Sequence, residues 1–149
     1  GETGIALQNR GASFSLDPDH PNSLEPGKRP FHTLIPALVR LDEDDWAAFG
    51  VMGGYMQPQG HVQVISNVVD YGMPLQRALD EPRWRYRESG ELGVEPHFDD
   101  DVAAKLVRKD HDVRTLSPVQ FGGAQIVRNE GGVLSAATEP RKDGNAQGF

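Results

Sequence analysis

The sequence predicts an α+β fold, with strands and helices in separate blocks rather than in strict alternation. Three observations carry that reading. Two near-continuous apolar runs, "TLIPALVRL" at 33–41 and "DWAAFGV" at 45–51, lie either side of an acidic turn at Asp42–Asp45. The segment at 58–71, "PQGHVQVISNVVDY", repeats its apolar residues at helical spacing. The chain then closes on two strand-like runs, 122–129 and 131–138, separated by a hairpin turn at Asn129–Gly132.

Taken in order, residues 4–7 read as a short strand. The stretch 15–30, "SLDPDHPNSLEPGKRP", carries four prolines and no apolar period, so it is expected as a long surface loop, functional or packed by its own side chains. The runs at 33–41 and 45–51 suit a sheet covered on both faces, although Pro36 counts against a regular central strand. In the helix at 58–71, Val62, Ile65 and Val69 share one face and Val64 and Val68 widen it, with Gly72 as the C-terminal cap. Pro74 and Pro82 bracket a second short helix at 74–81. A strand at 91–96 follows, then an amphipathic helix at 98–111 with acids first and bases last, as the helix dipole favours. Residues 112–116 read as a further strand before the closing pair.

A chain of 149 residues is the size of one domain and can bury a real core. Its 17 glycines and 11 prolines point to substantial loop between the regular elements. A formal net charge of -7 argues against a nucleic-acid partner, because phosphate binding needs clustered Lys and Arg. The positive charges occur as short groups, "GKRP" and "RWRYR", each followed by acids, and read as solvated or locally paired. The absence of cysteine excludes disulfides, thiolate metal sites and a cysteine nucleophile. No apolar run approaches membrane-spanning length, and the first residues do not read as a signal peptide. The chain opens on "GETGIALQNRG" without an initiator methionine, which reads as a processed chain or a piece of something longer.

The serine-elbow, phosphate-loop and H-E-x-x-H signatures are all missing. Asp99–Asp101 near His97 form an acidic group that is either a metal site or the ordinary acidic start of a helix, and the second reading is preferred. His61 reads as a structural histidine of the apolar helix. Gly53-Gly54 stand between a buried strand and a helix start, where backbone N–H groups are unpaired by construction. Two readings stand for them: a plain tight turn, or a close backbone approach that holds an oxyanion.

The order "PGKRPFHTLIPALV", "AFGVMGGYMQPQGHVQVISNVVDYGMPLQRALDEPRW", "LGVEP", "GGAQIV" and "AATEPRKDGNAQGF" resembles the small-subunit sequence of the γ-glutamyltransferase family. Within the family it resembles more closely the γ-glutamyltransferase-like or cephalosporin-acylase-like branch. The resemblance covers the whole chain and ends on Phe149, where family members end. It implies an N-terminal-nucleophile hydrolase with an αββα sandwich, antiparallel sheets flanked by helices, and no metal or organic cofactor. It also implies a precursor that cleaves itself to free an N-terminal threonine, which attacks an amide carbonyl with its own α-amine as base. By the same resemblance Gly53 and Gly54 form the oxyanion hole.

The chain departs from the family at two places. Gly1 has no nucleophilic side chain and Thr3 is not at the N-terminus, so residues 1–149 are expected to be the C-terminal part of the small subunit, inactive alone. Where the γ-glutamyl enzymes carry an acidic pair, this chain has Ala12 and Ser13, and where they carry serines it has His32 and Thr33. A neutral hydroxyl cannot pair with a substrate ammonium, a loss of about 1.5–3 kcal/mol. Arg10 instead offers a positive charge, so the pocket of Arg10, Ser13, His32 and Thr33 is expected to favour an acyl group ending in a carboxylate. Arg10 pointing to solvent, or pairing with an acid elsewhere in the precursor, is the competing reading. The expected partners are the rest of the precursor and a small amide or peptide substrate, with neither nucleic acid nor membrane. Alone, the chain would leave a sheet face and edge uncovered and would associate with its missing half or with a second copy. A non-catalytic relative that binds a small amide or peptide without turnover is the alternative function.

Overall fold

The computed structural model describes residues 2–5 and 7–148. It divides into two compact units, Gly1–Thr33 and Leu34–Phe149. In the first unit the strand expected at 4–7 does not form: Gly4, Ile5 and Leu7 are irregular, and Ala6 lies outside the described residues. A short 3-10 turn spans Arg10–Ser13. The loop that follows is held by its own polar groups rather than stretched out. Ser15 bridges Ser23, and Asn22 donates to the Ser13 carbonyl at 2.8 Å while accepting from the Phe31 N–H at 2.9 Å. Lys28 reaches Glu25 at 2.6 Å and Ser23 at 3.1 Å, the local pairing expected of its charge group.

The second unit holds two sheets. β1 (Ala37–Asp42) and β2 (Asp45–Met52) form a hairpin, and with β6 (Gly123–Glu130) and β7 (Val133–Thr138) they make the larger sheet, in the order β1-β2-β6-β7 with every pair antiparallel. β6 and β7 meet through Gly131-Gly132, where Asn129 Oδ1 accepts from the Gly132 N–H at 2.9 Å. β1 starts at Ala37 rather than residue 33, since Pro36 has no N–H for the ladder. Helix α1 (Gln57–Val69) and helix α2 (Leu75–Asp80) lie on one face of this sheet. Val64 and Leu79 pack there against Ala47, Phe49, Val51, Ala124, Ile126 and Ala137. Each large buried side chain contributes about 1.5–3 kcal/mol to that layer.

Within the second unit the larger sheet is covered on one face, as expected of these residues taken alone. β2 alternates strictly, with Ala47, Phe49 and Val51 buried and Trp46 and Met52 exposed. On the same face, Leu38 of β1 and Leu134 of β7 are 70% and 72% exposed. The apolar runs therefore reflect two apolar faces, only one of which finds a partner among these residues.

The smaller sheet contains β3 (Trp84–Tyr86), β4 (Glu91–Val94) and β5 (Asp112–Thr115). β3 pairs β4 antiparallel, whereas β4 pairs β5 parallel, so not all pairings match the antiparallel sheets implied by the resemblance. The connection from β4 to β5 runs through helix α3 (Asp100–Val107), as a parallel pair requires. The three-residue β3 has no sequence period to announce it. The helix expected over 98–111 is trimmed at both ends, by the Asp99 cap and by Asp110 at a φ of 66°.

Candidate active site

At the end of β2 the chain leaves the sheet through Gly53 (φ 133°, ψ 21°) and Gly54 (φ 61°) and enters a 3-10 turn, Gly54–Met56, that runs into α1. The turn is closed by Met56 N–H donating to the Gly53 carbonyl at 3.2 Å. Among the described residues the backbone hydrogen bonds of this turn leave the Gly53 and Gly54 N–H groups without an acceptor. Both φ values are ones that a side chain resists. The result is two adjacent amide donors at a strand–helix junction, the arrangement in which a helix start receives negative charge. Of the two glycines, Gly53 is crowded: a Cβ there would meet Gly122 Cα at 3.1 Å and Met56 Cβ at 3.3 Å. Gly54 faces open space.

The strand behind the turn is tied by His61. β1 begins opposite Phe49, so the last three residues of β2 run on beyond it. The Val51 N–H in that overhang donates to His61 Nε2 at 3.0 Å, and the imidazole stacks edge-on to Phe49 with centroids 5.2 Å apart. Accepting this bond requires the neutral ring with its proton on Nδ1. Burial pushes its pKa below the usual histidine value. His61 is thus structural, as its place in the helix predicted.

Four charged side chains form a buried network beside this sheet. Arg83 Nη2 meets Glu139 Oε2 at 2.8 Å, Arg141 Nη1 meets Glu139 Oε1 at 2.7 Å, and Arg141 grips both oxygens of Glu95. Glu95 also accepts from the Arg83 backbone N–H at 2.7 Å, and Glu139 Oε2 accepts from the Ala124 N–H. Arg83 donates further to the Phe121 and Leu79 carbonyls, and Arg141 to those of Leu79 and Glu81. Two positive and two negative groups cancel, and their donors are nearly all used, which is what makes such burial tolerable. Burial pushes the Glu139 carboxyl up, but the Arg141 and Ala124 hydrogen bonds and the Arg83 charge outweigh it and hold the group below the ordinary carboxylate range. The reading of "RWRYR" as solvated or locally paired charge is therefore wrong for Arg83, which is 2% exposed and bound 56 residues away. Sequence reasoning missed the network as a unit. The available signal was the recurring dipeptide Glu81-Pro82, Glu95-Pro96 and Glu139-Pro140, with arginine following the first and third.

Within the first unit, two of the four expected pocket residues come together: Arg10 Nη1 donates to the Thr33 hydroxyl at 3.3 Å. Arg10, Ser13 and Thr33 are half-buried and His32 is exposed. The Asn22 clamp on Ser13 and Phe31 brings the 3-10 turn to the 31–33 segment. Gly1 and Phe149, which figured in the placing of the nucleophile and the chain end, lie outside the described residues. Asp99 caps α3 by accepting from the Val102 N–H at 2.8 Å, which accounts for the acidic group there. No cluster of three or more metal-binding side chains forms among the described residues. A groove of 930 Å³ runs along α1 and α2 to the start of α3, walled by Gln63, Asn67, Arg77, Trp84 and Asp99, and does not include the glycine turn. No described helix is long and apolar enough to cross a membrane.

The profile of the family described as Gamma-glutamyltranspeptidase matches residues 1–149. The chain is 41% identical to the oxamate amidohydrolase proenzyme of Klebsiella pneumoniae, over 99% of this chain and 30% of that protein. It is 44% identical to the glutathione hydrolase-like YwrD proenzyme of Bacillus subtilis, over 100% of this chain and 30% of that one. Among solved structures, the cephalosporin acylase from Bacillus halodurans superposes with a TM-score of 0.81 at 45% identity, covering 99% of this chain and 28% of that one. A gamma-glutamyltranspeptidase from Pseudomonas nitroreducens shares the fold at a TM-score of 0.84 and 24% identity, covering 99% of this chain and 83% of that one. The chain thus spans 30% of the length of each of these two curated relatives.

Proposed function

The chain belongs to the gamma-glutamyltranspeptidase family, and from that premise we propose that its parent is an amide-cleaving N-terminal-nucleophile enzyme in which Gly53 and Gly54 form the oxyanion hole. The observation that carries the reading is the pair of uncommitted N–H donors at the β2–α1 junction. A threonine on a segment outside these 149 residues attacks the substrate carbonyl, and its own α-amine takes the hydroxyl proton. The carbonyl oxygen becomes an anion as its double bond opens, and the two glycine N–H groups meet it there. One such donor is worth roughly 2.7–4 kcal/mol of barrier. Collapse expels the amine, which leaves with the proton, and the acyl-enzyme passes to water or to another amine. The 149 residues are the C-terminal part of the small subunit and do not turn over alone.

The remainder of the precursor is the partner. The exposed sheet face of Leu38, Trp46, Met52 and Leu134 is the surface it covers, since a face this apolar is not left to water in a finished domain. Arg10, which donates to Thr33 within the first unit, is the group assigned to recognise a substrate carboxylate, with Ser13 and His32 nearby in sequence. A cation there selects a carboxylate, and the name of the oxamate amidohydrolase relative supports this, because oxamate joins an amide to a carboxylate. The test uses the full-length protein. It should cleave itself ahead of a threonine and then hydrolyse a glutaryl anilide about 10- to 100-fold faster than the γ-glutamyl anilide, whose ammonium finds no acid. A preference for γ-glutamyl would contradict the pocket assignment. Binding without turnover by the cleaved protein would favour the non-catalytic alternative.

A further inference from the structure

We propose that Gly122 and the buried Arg83–Glu139 pair form a positioning clamp that sets the direction of the Gly53 N–H, so that residues far from the turn in sequence govern turnover. The inference rests on the assignment of Gly53 and Gly54 as oxyanion donors. Its starting point is one peptide plane. The Met52 carbonyl and the Gly53 N–H belong to the same planar trans unit, so fixing one fixes the other. The partner of Met52 in the sheet is Gly123, which brings Gly122 directly against that unit. A Cβ built at Gly122 would lie 2.1 Å from the Met52 carbonyl oxygen and 3.2 Å from Val51 Cγ1, and one built at Gly53 would lie 3.1 Å from Gly122 Cα. The two backbones touch with no room for a methyl group.

Gly122 is itself held from both sides. The carbonyl before it, on Phe121, accepts from Arg83 Nη1 at 3.2 Å. The N–H two residues on, at Ala124, donates to Glu139 Oε2. Arg83 and Glu139 meet each other at 2.8 Å and are 2% and 1% exposed. A short backbone segment gripped by a buried ion pair at each end, and pressed on a peptide whose N–H must point at a developing charge, is a brace. Gly122, Arg83 and Glu139 are positioning residues and touch no substrate.

The test is made on the autoprocessed full-length protein with three variants. In Gly122→Ala the added methyl displaces the Met52–Gly53 peptide. The expected result is a kcat lower by roughly 10²–10³, the loss of one oxyanion donor, with KM within about twofold. A crystal structure of the variant should show Gly53 moved from its φ of 133°. Glu139→Gln keeps an oxygen for Ala124 but leaves Arg83 without its carboxylate; it should lower kcat by roughly tenfold with KM unchanged, and it carries the same readouts if Gly122→Ala does not fold. Leu92→Ala, a core deletion in β4, controls for general destabilisation and should leave kcat unchanged below its melting range. An unmoved Gly53, or a moved Gly53 whose loss is confined to KM, overturns the clamp. A moved Gly53 with unchanged kcat upholds the clamp and overturns the oxyanion assignment.

Discussion

Removing Glu139 should be among the most destabilising single changes in this chain. Its carboxylate accepts from Arg83 Nη2 at 2.8 Å, Arg141 Nη1 at 2.7 Å, the Arg141 N–H at 3.1 Å and the Ala124 N–H. Arg141 would keep its bidentate grip on Glu95, but the Arg83 guanidinium would keep only the Phe121 and Leu79 carbonyls. An uncompensated buried charge costs about 3–5 kcal/mol. The orphaned Ala124 N–H adds about 1–3 kcal/mol. Glu139→Ala should therefore cost roughly 4–8 kcal/mol, a large share of the total stability of a domain this size. The double variant Arg83→Met, Glu139→Leu removes the charge together with its partner and should recover about 3–5 kcal/mol of that loss. The measurement is chemical denaturation of the full-length protein, with midpoints and slopes compared among wild type, single and double variants. A single-variant cost under about 1 kcal/mol, or a double variant no more stable than the single, would refute the reasoning. The acid side follows with its sign. The folded Glu139 carboxyl titrates below its unfolded value of about 4.3, so the stability it contributes is present above that pH and is lost as pH falls through the folded value.

Two further predictions concern single side chains. His61 accepts from Val51 only when neutral and titrates below its unfolded value of about 6.5, so its contribution is present above that pH and lost as pH falls through the folded value. Melting temperatures between pH 7.5 and 5 should lose part of their slope in His61→Gln, which keeps an acceptor without the titration; an unchanged slope would contradict this. Arg10→Ala should lower kcat/KM on a glutaryl amide by roughly 10- to 100-fold and bring it level with the uncharged butyryl amide, and an unchanged ratio of the two would remove Arg10 from the pocket.

Much of the element order was legible because its signals are local. Proline brackets α2, aspartate caps α3, and an Asn-Glu-Gly-Gly run turns the last hairpin. What failed depended on groups distant in the chain. Runs such as "AAFGV" show that both faces are apolar but not what covers the second, which the described residues leave exposed. Arg83 read as surface charge because its partner stands 56 residues on, and only the fold brings Glu139 to it. β3 is three residues long and exists through pairing with β4, with the Gln59 and Gln63 side chains capping its backbone. The glycine turn was legible as a location, between strand and helix. Its crowding by Gly122 was not, because a close approach of two backbones leaves no pattern in either segment alone.

The most direct test of the central claim replaces the Gly54 residue by its α-hydroxy acid analogue in the full-length protein, which turns the N–H into an ester oxygen without adding a side chain. Gly54 suits the experiment because it faces open space and its N–H serves no bond among the described residues. With the donor removed, kcat on the preferred amide should fall by roughly 10²–10³ while KM and thermal stability stay near wild type. A kcat unchanged within about twofold would show that the amides of this turn do not hold the oxyanion.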